Sequence, residues 1–124
     1  DLVIGEETAS GAVGFALLEL DRVRVKGKAV PIRIFTGLGD RAEAARPEFQ
    51  KLKAAQEKML ALYRTQDWDA ATAALEQCRA LAEPVAGDRL GGLFDIYAAR
   101  IAAYRAEPPA RDWDGVYEAK SKAG

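Results

Sequence analysis

Apolar positions change period once along the chain. Up to about residue 38 they follow the two-residue period of strands, and from about residue 40 they recur at steps of three and four. Residues 2–5, LVIG, form a short apolar run. Residues 6–12, EETASGA, are small and acidic and suit one or two helical turns. In FALLELDRVRV, residues 15–25, Leu18 and Leu20 hold even positions while Val23 and Val25 hold odd ones. Side chains of a strand alternate faces, so this slip predicts a β-bulge near Asp21. VPIRIF, residues 30–35, resumes the alternation with Val30, Ile32 and Ile34 on one face. Gly27-Lys28-Ala29 is short enough to close a hairpin, and glycine can supply a positive φ. TGLGD, residues 36–40, reads as a loop between the two halves.

The second half predicts three helices. Phe49, Leu52, Ala55, Met59 and Leu62 make the stripe of the first, with Pro47 in its first turn. The second starts at Trp68 behind Asp67 as N-cap, buries Ala71, Leu75, Cys78 and Leu81, and stops before Pro84. The third follows Asp88, carries Leu90, Leu93, Tyr97, Ile101 and Tyr104, and ends at Pro108-Pro109. The tail RDWDGVYEAK has a turn at Asp114-Gly115 and then an extended VYEA. The first two helices form an antiparallel hairpin across RTQDWD, and four alanines between 70 and 74 allow close approach. This is the packing of a tetratricopeptide (TPR) helix pair without the array, because the second DWD, at 112–114, misses the repeat of about 34 residues.

Composition narrows the chemistry. The chain has 124 residues, 49% of them hydrophobic, and a formal net charge of -1. Such a balance offers no positive field for nucleic acid. No apolar run reaches the roughly 20 residues of a membrane span. A single cysteine, Cys78, permits no internal disulfide and fits the cytoplasm. Histidine is absent, which removes the commonest general base and zinc ligand. Ser10 and Ser121 sit in no nucleophile pattern. The strand-like opening DLVIG reads as a cut inside a longer protein.

Two groups of residues remain as candidates. Lys26 and Lys28 flank Gly27 at the hairpin tip, as solvated turn residues that discourage edge pairing or as point charges for phosphate. Arg22, Arg24 and Arg33 on the same hairpin form a basic patch or a polar sheet face. Elsewhere the structural reading prevails. Trp68 and Trp113 close hydrophobic gaps, with the flanking aspartates as caps. The pairs Asp67/Asp69 and Asp112/Asp114 lack the further ligands of a calcium loop. Cys78 is a small core residue. Gly37 and Gly39 make a lone G-x-G without the rest of a dinucleotide fingerprint.

Taken together, LVIGEETASGA and FALLELDRVRVKGKAVPIRIFTGLG resemble the end of the catalytic domain of bacterial class III nucleotidyl cyclases, the adenylate/guanylate cyclase family. Strand, helix, bulged strand and VKGK turn occur in that family's order. YRTQDWDAA and PPARDWDGVY are similar to the helical extension that follows some of these domains. The resemblance implies an α+β chain: residues 1–38 as the terminal β-hairpin segment of a ferredoxin-like cyclase domain, and 39–124 as an antiparallel three-helix TPR-like extension. It implies a parent that converts ATP, less readily GTP, to cyclic nucleotide and pyrophosphate. Two Mg²⁺ or Mn²⁺ ions held by two aspartates would activate the ribose hydroxyl and steady the leaving group. Lys26, after Val25, corresponds to the lysine that contacts the triphosphate. The metal aspartates and the transition-state asparagine and arginine of the family precede the IGEET segment, so this stretch alone is expected to be inactive.

The resemblance also implies a homodimer with active sites at its interface. Val23, Val25, Ile32 and Ile34, with open strand edges, give the same expectation independently. A different reading makes the helices a docking module for a regulatory protein, or a structural brace with no nucleotide role. An apolar groove on the helices favours docking; stripes buried on each other and on the hairpin favour the brace.

Overall fold

The computed structural model describes residues 3–5, 9, 11, 14–25 and 29–119. Strands β1 (Val3–Gly5), β2 (Ala16–Val25) and β3 (Ile32–Gly39) come first. Helices α1 (Arg41–Ala44), α2 (Pro47–Arg64), α3 (Trp68–Ala86) and α4 (Gly91–Ala106) follow, and β4 (Tyr117–Ala119) ends the described chain. The fold is α+β, with the change of period falling where strands give way to helices. Of the predicted early helical turns, Ala9 and Gly11 are described, and both are helical. Lys26, Gly27 and Lys28 lie outside the described residues.

The four strands form one mixed sheet in the order β1-β3-β2-β4. β3 pairs antiparallel with β1 and with β2, while β4 runs parallel to β2. Glu19 pairs with Phe35 and Asp21 with Ile34, so Leu20 is the extra residue of a β-bulge. The phase slip in the sequence has this cause. The bulge puts Asp21 and Val23 opposite Ile34 and Ile32, so the apolar face continues past the slip.

Four expectations need correction. Val30 stands 73% exposed, and β3 begins only at Ile32. TGLG is not a loop: Thr36 and Leu38 are buried on the strand, and Gly37 pairs with Leu17. Gly37 and Gly39 have loop composition, but they alternate with the buried Thr36 and Leu38 along a paired strand. α3 does not stop before Pro84 but runs to Ala86, with Gly87 at φ 58 ending it. Proline forfeits one backbone bond there, yet Ala82 and Ala86 beside it are buried, which keeps the turn packed. The edge of β2 at Val23–Val25 is not open, because the chain's own tail pairs with it.

The helices cover one face of the sheet. Asp40 caps α1 through Oδ1, which accepts from the N–H groups of Ala42 and Glu43 at 3.0 and 3.1 Å. Pro47 opens α2 and Asp67 caps α3, as predicted. α2 and α3 make the most extensive helix contact, across a short connection in which Gln66 takes φ 65. Their buried faces include Phe49, Leu52, Met59, Leu75 and Cys78; Leu62 and Leu81 are only half-buried. Phe94, Tyr97 and Ile101 of α4 complete a core that also holds Ala16, Leu18, Leu20 and Leu38 from the strands. The core thus joins side chains from both sides of residue 38. Each buried Leu or Phe contributes roughly 1.5–3 kcal/mol.

Both DWD tryptophans belong to one aromatic knot. Tyr63 meets Tyr97 edge-on at 4.9 Å and Trp113 at 5.4 Å, while Trp68 stacks on Tyr104 at 5.4 Å. Trp113 Nε1 donates to the Val116 carbonyl at 3.1 Å. Gly115, at φ 77, lets the tail turn against α2: a Cβ there would lie 2.5 Å from Arg64 Cγ. The tail is thereby steered into β4.

Candidate functional site

The candidate chemistry sits on the β2–β3 hairpin. Lys26, the residue that the cyclase resemblance assigns to phosphate, lies outside the described residues; the stem on either side of it is described. Arg24, two residues earlier, is held three ways. Its Nη2 bonds Asp114 Oδ2 at 2.9 Å, its Nη1 bonds Glu118, and its Nε donates to the Ala29 carbonyl at 3.0 Å. Tail and turn are thus tied to the same guanidinium. The Arg24 bond, helped by the Val116 N–H, holds Asp114 below the usual carboxylate pKa, and Asp114 raises that of Arg24.

Lower in the stem the bulge is clamped from above. A bulge leaves backbone groups without ladder partners, and these must find others when buried. Gln56 Nε2 on α2 donates to the Glu19 carbonyl at 2.9 Å. Tyr97 Oη on α4 donates to the Leu20 carbonyl at 2.7 Å and lies 3.1 Å from Asp21 Oδ1. Both side chains are fully buried. Arg100 forms a two-point pair with Asp21, at 3.1 and 2.9 Å. The Arg100 guanidinium also lies 3.8 Å from the centre of the Tyr117 ring, so α4, β2 and β4 meet at one side chain. Burial would lower the Arg100 pKa, but Asp21 outweighs it and raises it. Tyr97 is pushed up chiefly by burial and stays a hydrogen-bond donor.

Glu19 is a second junction. Its carboxylate takes Arg33 of β3 at 3.0 Å and Arg64 of α2 at 3.0 Å. Burial alone would raise its pKa; the two arginines override that and hold it low. Arg24 and Arg33 are therefore ion-paired. Arg22 stands opposite Arg33 in the register, and its guanidinium has no acidic partner among the described residues. These two arginines, Val30, Pro31, Asp114 and Val116 line a cleft of about 350 Å³.

The other candidates resolve as structure. Burial raises Cys78 to about 11, so it stays a thiol in the core. Asp67 is a cap, and Asp114 takes the Val116 N–H at 3.1 Å. Among the described residues no three His, Cys, Asp or Glu side chains converge as a metal site. No helix among them is long and apolar enough to cross a membrane.

Gln56, Arg64 and Arg100 went unnoticed in the sequence. Gln56 had one legible signal: a polar residue one step from Ala55 in a stripe that continues to Met59 and Leu60. The arginines had none, because their partners are set by the docking of helix on sheet. Comparison with known proteins adds no relative: no family model, no curated protein and no solved structure matches the chain.

Proposed function

We propose that this chain is the closing part of a class III nucleotidyl cyclase, in which the helices brace the hairpin that carries the triphosphate-contacting Lys26. The single observation that supports the brace is the clamp on the bulge: Gln56 and Tyr97, from two different helices, satisfy the backbone of the strand that leads to Lys26. A rigid stem suits a turn lysine that must meet a phosphate in one position. The nucleotide part of the reading rests on the resemblance of the β segment, in which bulge and basic turn follow in the cyclase order. The extension, a TPR-like helix pair plus one, buries its stripes inward. Of its large apolar side chains, Ile96 is the one that stands about half exposed among the described residues, which favours a brace over a docking groove.

In the parent, two Mg²⁺ or Mn²⁺ ions and ATP would be held by residues preceding the IGEET segment, across the interface of a homodimer in the cytoplasm. The chain alone makes no cyclic nucleotide. The test is turnover by the longer protein. Lys26→Ala should lower kcat/KM for ATP by about tenfold or more, since a charge-assisted contact to phosphate is lost. An unchanged kcat/KM removes Lys26 from the site, and a parent without two metal-binding aspartates defeats the cyclase reading altogether.

A further inference from the structure

The cleft beside Arg22 is open to a ligand, and its chemistry is one-sided. Arginines directly opposite in an antiparallel pair repel. Arg33 is relieved by Glu19, but Arg22 has no acid of its own among the described residues. The acid that lines the cleft, Asp114, is engaged on both oxygens, by Arg24 and by the Val116 N–H. A half-buried cation therefore faces a space of about 350 Å³ with its counter-charges committed elsewhere. Val30, Pro31 and Val116 form an apolar wall beside it, which keeps water from one side and strengthens any charge pair formed there.

We infer that this cleft binds a phosphate-bearing anion, with Arg22 as its principal ligand. The planar guanidinium offers two parallel donors, the geometry that a phosphate's oxygens accept. Glu19 already answers Arg33, so the charge left to be met in the cleft is that of Arg22. The inference does not depend on the cyclase reading, since it concerns this chain alone and a different residue from Lys26.

Another basic groove provides the control. Lys51 and Lys58 of α2 face Gln77 and Leu81 of α3 across a space of about 360 Å³. The experiment is a titration of the chain with inorganic pyrophosphate, followed by amide chemical shifts. Shifts are expected at Arg22, Arg33 and Val116, with an affinity that falls as ionic strength rises. Arg22→Gln should raise Kd about tenfold, one lost charge-assisted contact, with an unchanged far-ultraviolet spectrum. Lys58→Gln should leave Kd as it was. The assignment is overturned if Arg22→Gln binds as tightly as the original chain, if the shifts gather at Lys51 and Lys58, or if millimolar pyrophosphate moves no amide.

Discussion

Tyr97 does two jobs with one side chain, filling the core with its ring and ending the bulge's unsatisfied carbonyl with its hydroxyl. Tyr97→Phe keeps the first and removes the second. It should cost about 1–3 kcal/mol, the penalty of a buried acceptor left unpaired. Urea unfolding measures it, and a loss below about 0.5 kcal/mol would mean the carbonyl finds another partner. Glu19 gives a pH signature. Its pKa is lowered in the folded chain, so protons bind more readily to the unfolded one. The stability it contributes is complete above the ordinary value of 4.5 and is lost as pH falls through the lower folded value. Stability of the original chain should therefore fall more steeply than that of Glu19→Gln as pH drops from about 5.5 to about 3. Parallel pH curves for the two would show that Arg33 and Arg64 do not favour the charged carboxylate. Neither role could be read from the sequence, since Tyr97 looked like one more stripe residue and Glu19 like a polar strand position.

Elements were legible where one rule governed them. Three long helices followed from their stripes, and Asp67 and Pro47 marked their starts correctly. The bulge followed from an alternation that breaks once. What failed were places where tertiary contact overrides local preference: TGLG as a strand, Pro84 inside a helix, and the pairing of VYEA with β2. A three-residue strand is not stable on its own. β4 is held in place by Arg24 and by the turn at Gly115. Gly115→Ala tests that support. The substitution strains a positive φ and drives a Cβ into Arg64, and should cost about 1–2 kcal/mol. Amide exchange should quicken along Val23–Val25 and stay unchanged in the middle of α2. Equal quickening in both would mean that the tail is not a separate support.

At the scale of the whole molecule, strands and helices share one core, and the charged contacts of Glu19, Asp21 and Arg24 fasten strands to helices or tail. Among the described residues the large apolar side chains left most exposed are Phe15, Val30, Ile32 and Ile96, and three of these four belong to the β segment. That asymmetry supports self-association through the β segment. Light scattering at micromolar concentration should give twice the 13.4 kDa of one chain. A 13.4 kDa particle would exclude the dimer under those conditions. The central claim is that the helices and the hairpin form one braced unit, and native-state hydrogen exchange tests it most directly. As denaturant rises toward the transition, amides of Leu18 to Val23 and of Leu52 to Tyr63 should converge on one opening free energy, the global one. If the β2 amides open at distinctly lower free energy while α2 stays protected, the hairpin is not braced, and the account is contradicted.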